Sequence, residues 1–205
     1  GNSRYFTLMS FKLGLTGSIG MGKSTTAGLF KKAGCAIWDA DAAVHRLYAK
    51  GGGAVESIRS LFPEAIVNEE VSRSALKEEL AKSPSGFEQL EKIVHPFVAK
   101  DRAEFINKEA GSILVFDIPL LFETGGHTLM DAVVCVSISA AKQKQRVLER
   151  KTMTSDQFEQ ILARQMPIKE KLQKADYVVT TDTLDHAEQQ VQIIIQDIRE
   201  NRLNA

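Results

Sequence analysis

Cysteine is nearly absent from this 205-residue chain: only Cys35 and Cys135 occur, both within or beside apolar runs. Neither has a C-x-x-C spacing or a neighbouring histidine, which excludes a disulfide framework or a zinc site as the basis of the fold. Both are expected to be reduced core thiols of a cytoplasmic protein. No stretch approaches the roughly 18 to 20 uninterrupted apolar residues of a membrane span. Net charge is also missing, because 26 basic residues balance 26 acidic ones. That balance argues against a long nucleic acid or an anionic membrane surface as the main partner. The opening residues GNSRYFTL lack the apolar core of a signal peptide. Met9 is the expected natural start, and residues 1–8 carry no weight in the reading of the fold.

What is present suits one globular domain with insertions, since 43% of the residues are apolar. Five short apolar runs alternate with helical segments: Lys12 to Thr16, Ala36 to Asp39, Ile113 to Ile118, Ala132 to Ser137 and Tyr177 to Thr180. Near-continuous hydrophobicity predicts strands buried on both faces, and their alternation with helices predicts an α/β fold with a parallel sheet and right-handed crossovers. Gly34 is placed to stop the first helix. Leu184, Ala187, Val191, Ile194 and Ile198 fall at helical spacing, predicting a last helix packed on the sheet. Between the second and third strands a long insertion carries five helical stretches, and Gly51, Gly52 and Gly53 within it read as a flexible joint rather than a ligand loop. After the fourth strand, residues Ala140 to Lys174 hold nine basic and four acidic side chains. There Thr154 to Gln157 predicts a capping box, Pro167 a helix start, and Lys142, Arg146 and Arg150 one cationic helix face. That face is either solvated or aimed at phosphate.

The most informative segment is Gly17 to Ser24, GSIGMGKS, which fits G-x-x-x-x-G-K-S between a strand and a helix. Glycines at 17, 20 and 22 let successive backbone N–H groups turn into one concavity at the positive end of the following helix. Lys23 is then set to reach the β and γ phosphates of ATP, and the Ser24 hydroxyl to ligate Mg2+. Gly17, Gly20, Met21, Gly22, Lys23, Ser24, Thr25 and Arg146 form the expected nucleotide-binding set.

The class of phosphate-loop protein follows partly from further absences. Asn107 and Lys108 run into Glu109 and Ala110, so the guanine-reading N-K-x-D is missing. Leu120 stands where a D-x-x-G switch from Asp117 needs glycine. The chain is short for a motor or helicase. A small-molecule kinase remains, with a helical substrate region and a lid. Such an enzyme needs a group to accept or orient the acceptor's hydroxyl proton, and Asp41 at the end of the second strand is the candidate. Asp39 and Asp41 point to one side by alternation, with helix capping as their other reading.

These residues resemble a known family. The series GLTGSIGMGKST, WDADAAVHRL, LEKIVHP, DIPLLFE, QKQRVLER and KADYVV is similar, in order and spacing, to dephospho-CoA kinase over almost the whole chain. The resemblance implies a P-loop kinase fold: a five-stranded parallel sheet flanked by helices, with a helical substrate-binding insertion and a helical lid. It divides the chain into a nucleotide-binding core (10–39, 112–140, 175–205), an acceptor-binding region (40–111) and a lid (141–174). The implied reaction moves the γ-phosphate of ATP to the ribose 3′-hydroxyl of 3′-dephospho-CoA. Asp41, Lys23 and Arg150 would be catalytic, and Arg46, His95 and Glu123 would join Asp41 in binding the acceptor. His95, preceding Pro96, equally fits a helix start. Leu120, Leu121 and Phe122 read as core.

The chain departs from the family pattern in two places. His45 and Arg46 follow Asp41 where an arginine is common four residues on. Thr180, Thr181 and Asp182 stand where asparagine is common after the fifth strand, which opens the question of the adenine contact. Asp117 ends its run like a Walker B aspartate, contacting magnesium through water or orienting the loop. The alternatives are a nucleoside or nucleoside monophosphate kinase and a nucleotide-dependent binding module. The sequence leaves the oligomeric state open.

Overall fold

The computed structural model describes residues 10–203; the expected start at Met9 lies outside them. Two compact units are present, one formed by the chain before and after the insertion and the other by Asp39–Lys108.

In the first unit, β1 (Phe11–Thr16), β2 (Ala36–Asp39), β5 (Ile113–Asp117), β6 (Ala132–Ser137) and β7 (Tyr177–Thr180) form a five-stranded sheet in the order β2-β5-β1-β6-β7. The parallel register sets Leu13 against Val115 and Ala132, and Val134 against Tyr177. β1 and β5 are almost wholly buried, as their unbroken apolar runs require. Helices α1 (Lys23–Lys32) and α9 (Leu184–Asn201) supply Phe30, Val191 and Ile198 to the same core. Each such fully buried side chain stabilises the fold by about 1.5–3 kcal/mol. Leu184 is an exception to the expected apolar stripe: it opens α9 and is 59% exposed. The strand order reverses beside β1, so the loop that leaves its carboxyl end sits where open α/β sheets bind ligands.

Helices α6 (Ala140–Glu149), α7 (Ser155–Arg164) and α8 (Ile168–Lys174) belong to this unit too. The predicted capping box is present, with Thr154 and Gln157 exchanging side-chain to backbone bonds at the start of α7. Pro167 caps α8. Cys35 and Cys135 are buried and free, and burial pushes both thiols up to about 11.

The second unit holds α2 (Ala40–Tyr48), α3 (Val55–Leu61), β3 (Ile66–Val67), β4 (Glu70–Val71), α4 (Arg73–Ala81) and α5 (Gly86–Lys108) around Tyr48, Val55, Ile58, Phe62, Leu76 and Leu90. With the 3-10 turn at Pro63–Ala65 these helices make the five expected helical stretches, and a short hairpin is added to them. β3 and β4 form a hairpin, too short for alternation to reveal, closed by Asn68 and Glu69 at φ 52° and 64°. The glycine cluster forms a hydrogen-bonded turn. Gly52 N–H bonds the Ala49 carbonyl, and a Cβ on Gly52 would lie 2.3 Å from the Leu47 carbonyl oxygen, so the chain turns tightly against the end of α2. The helix-start reading of His95 also fails, because Pro96 lies inside the 23-residue α5 and His95 is exposed on it.

Candidate active site

The phosphate loop runs from β1 into α1, and Gly22 at φ 89° is the N-cap with no side chain bonded to the helix's first N–H groups. The first turn carries no acidic residue, so the positive helix end meets only Lys23, Ser24 and Thr25. Gly20 has φ 73°, and a Cβ there would come within 2.4 Å of Val147 Cγ2 on α6. Glycine is required at that position on both counts.

Three carbonyls of the loop are held from outside. Lys171 Nζ donates to Gly17 O at 3.4 Å, Gln143 Nε2 to Ile19 O at 2.7 Å, and Thr181 Oγ1 to Met21 O at 2.6 Å. Arg146 in turn donates to the Thr181 hydroxyl at 3.1 Å and to the Thr181 carbonyl. Ile19 N–H donates to Gln165 Oε1 at 3.2 Å, so the segment following α7 also reaches the loop. Met21 is buried, and its N–H donates to the Ser18 carbonyl at 3.2 Å.

Lys23 Nζ lies 2.5 Å from Asp117 Oδ1 at the end of β5, where the carboxylate is largely buried. This pairing holds the lysine over the loop and ties the Walker B-like aspartate to it. A cavity of about 200 Å³ lies over the loop, bounded also by Pro119, Leu120, Arg150 and Gln165. Leu120 therefore departs from the core reading: it has φ 55°, is 40% exposed and faces this cavity, while Leu121 and Phe122 are buried. A second cavity of about 200 Å³ adjoins the start of α1, with Arg146, Arg150, Thr181 and Asp182 on its walls. Arg146 and Arg150 thus line this cavity, whereas Lys142 on the same face does not and is exposed. Asp182 accepts a bond from His186 and from the Thr183 N–H, which hold its carboxyl below the ordinary range.

Glu123 is already engaged. Its Oε2 lies 3.0 Å from Lys171 Nζ and accepts the Met166 N–H at 3.0 Å, while Oε1 is buried with no hydrogen-bond partner among the described residues. Burial alone raises this carboxyl, but the Met166 N–H and Lys171 outweigh it and hold it below the usual range.

The remaining sequence candidates lie in the second unit. The strand ends at Asp39, two residues before Asp41: Asp39 caps α2 by accepting the Ala42 N–H, and Asp41 is exposed in the first turn of that helix. The capping reading thus holds for Asp39, while the Asp41 carboxylate faces solvent. Arg46 pairs with Asp101 at 2.8 Å within the unit, and His45 is exposed. Among the described residues no group of three or more His, Cys, Asp or Glu side chains is placed to hold a metal. The donor set fits a cation shared between one hydroxyl and nucleotide phosphates, as Mg2+ usually is, rather than a protein cage.

Residues 11–186 match the family model for dephospho-CoA kinase. The chain belongs to the dephospho-CoA kinase family. A dephospho-CoA kinase of Ruegeria pomeroyi is 59% identical over 197 residues, spanning 96% of this chain and 100% of that protein. One of Cereibacter sphaeroides is 50% identical over 190 residues, or 93% and 96% of the two chains. A solved protein of Thermus thermophilus superposes with a TM-score of 0.80 at 29% identity, covering 92% of this chain and 97% of that one. The chain is accordingly an ATP-dependent kinase with the P-loop kinase fold.

Gln143, Gln165, Lys171 and Thr181 went unmarked as loop contacts by sequence reasoning. Lys171 is one of three lysines between Lys169 and Lys174, and nothing local distinguishes a buried member of such a run. Thr181 carried a signal, the missing asparagine after the fifth strand.

Proposed function

We propose that this chain transfers the γ-phosphate of ATP to the ribose 3′-hydroxyl of 3′-dephospho-CoA in the cytoplasm, the last step of coenzyme A synthesis. The observation that carries this reading is the uncapped start of α1 with Lys23 held over it, in a member of this family. ATP docks its phosphates on the N–H groups from Gly17 to Thr25, and Lys23 exchanges Asp117 for the β and γ oxygens. Ser24, with Asp117 beyond it, would hold Mg2+, which when bound neutralises charge on the phosphates. Arg146 and Arg150 face the nucleotide, and Arg150 stabilises charge on the transferred group.

The helical unit takes the acceptor, with Arg46 and His95 as binding groups and Glu123 on the loop after β5. Asp41 accepts the proton of the 3′-hydroxyl as its oxygen attacks the γ-phosphorus, and the bond to the β-γ bridging oxygen breaks to release ADP. The 141–174 segment acts as a lid that excludes water and spares ATP from hydrolysis. Among the described residues no helix is long and apolar enough to cross a membrane.

The deciding assay is ADP release with magnesium ATP against 3′-dephospho-CoA, adenosine, nucleoside monophosphates and shikimate, with the product identified by mass. Selective phosphorylation of dephospho-CoA is expected. Preference for a nucleoside monophosphate overturns the acceptor assignment. ATP binding without any acceptor-dependent turnover overturns the transfer reaction in favour of a nucleotide-dependent binding module.

A further inference from the structure

Lys171 is an anomaly on physical grounds. Its side chain is 0% exposed, on a seven-residue helix that could bury a leucine there more cheaply. A buried lysine and carboxylate lose hydration that their mutual attraction only partly returns, and well-packed apolar residues often replace such pairs without loss of stability. The pair is therefore poorly explained as a source of stability alone.

Its second contact explains it. The Lys171 amine donates to Gly17 O at 3.4 Å, the carbonyl with which the phosphate loop begins. Two residues on, the Ile19 carbonyl is held by Gln143, and two further on the Met21 carbonyl is held by Thr181. These are alternate carbonyls, 17, 19 and 21, each gripped by a side chain from a different part of the unit. A peptide group is planar and trans, so fixing a carbonyl also fixes the N–H of the next residue, which points the opposite way within that plane. Holding carbonyls 17, 19 and 21 outward thus sets the direction of the N–H groups of Ser18, Gly20 and Gly22. A phosphate-binding loop works by presenting such N–H groups already aligned, so that no reorientation is needed when the anion arrives.

We propose that Lys171 is a positioning residue for phosphoryl transfer: through its bond to the Gly17 carbonyl it sets the opening peptide of the phosphate loop for ATP. Glu123 neutralises the amine and fixes it. The same carboxylate oxygen accepts the Met166 N–H, which joins this support to the segment where Gln165 meets Ile19. Because the paired charges cancel, Lys171 acts by geometry rather than by adding field at the phosphates. The inference rests on the phosphate loop binding ATP, and it deepens that reading.

Two neutral double variants separate geometry from stability. Lys171→Met/Glu123→Gln removes the donor to Gly17, whereas Lys171→Gln/Glu123→Gln keeps an amide donor in its place. For wild type and both variants, thermal midpoints, the Kd for ATP and the steady-state kcat and KM for ATP are measured at a temperature where all are folded. Both doubles avoid an unpaired buried charge, so similar midpoints are expected. The methionine variant should bind ATP more weakly or turn over more slowly than the glutamine variant by roughly tenfold to a hundredfold, as misplacement of a positioned group does. Equal ATP binding and turnover in the two doubles overturns the proposal. So does a methionine variant with no cooperative thermal transition beside a glutamine variant that folds and keeps wild-type kinetics, since the donor at that position is then needed for the fold alone. If wild type itself shows no dephospho-CoA-dependent turnover, the acceptor reading fails, while the ATP Kd still tests Lys171.

Discussion

The phosphate loop and the helical unit prepare for their ligands in opposite ways. Around the loop, carbonyls of Gly17, Ile19 and Met21 are bonded from outside, Lys23 is paired with a largely buried aspartate, and Thr181 is itself held by Arg146. In the helical unit, the candidate acceptor groups Asp41, Arg46 and His95 are all exposed, and Arg46 pairs with Asp101. An exposed pair of that kind contributes about 0–1 kcal/mol and exchanges readily for a ligand. The triphosphate recurs with every turnover in one geometry, and a core can be built around it. The acceptor side keeps its polar groups hydrated until a substrate displaces the water.

The largest test of this contrast falls on the exposed side. Asp41→Asn should lower kcat by roughly 10² to 10⁴, the usual contribution of a general base. Among the described residues the exposed carboxylate has no hydrogen bond or ion pair and only its place in the first turn of α2 to stabilise, so the thermal midpoint and the KM for ATP should stay near wild type. A variant with unchanged kcat would remove Asp41 from the chemistry and leave Asp39, the helix cap, as the only role for that acidic pair.

Lys23→Met probes the prepared side and should cost both function and stability. Loss of one aligned donor to the phosphates lowers kcat/KM by about 10² to 10³. Removing the lysine also leaves the largely buried Asp117 without its close cation, so the midpoint should fall as well. If kcat/KM fell with no change in midpoint, the lysine would be poised for ATP without being part of the folded frame, and the contrast between the two regions would weaken.

How much of this was legible in the sequence follows the same division. The strands, the phosphate loop, the capping box at Thr154 and the lysine and serine after the last loop glycine all depend on local pattern, and local pattern is what a sequence carries openly. The β3-β4 hairpin escaped because two residues per strand are too few for alternation. Pro96 misled because proline is a good helix opener, yet here α5 continues through it. Leu120 misled because an apolar residue in an apolar run reads as core, while its positive φ turns it to the cavity. Lys171, Gln143 and Thr181 were illegible for a deeper reason. Their partners lie 154, 124 and 160 residues away in the chain, so only the assembled sheet brings them to the loop.

The smallest expected effect separates the two regions most cleanly. Cys35 and Cys135 both lie in the unit that holds the phosphate loop, and Asp39–Lys108 contains no cysteine. Burial pushes each thiol up to about 11, so at pH 8 the native protein holds almost no thiolate and a thiol reagent acts only when that unit opens. Labelling at pH 8 should therefore be slow, and Asp41→Asn should leave its rate unchanged, because that side chain lies in the other unit. ATP at about 100 times its Kd should slow labelling by up to roughly a hundredfold, since it binds the closed form of the loop. Cys135 makes the reading sensitive: it lies on β6 opposite Thr16, one residue before the loop begins. Faster labelling in Asp41→Asn would mean that the helical unit's surface groups help hold the phosphate side closed, and the two regions would no longer be prepared independently.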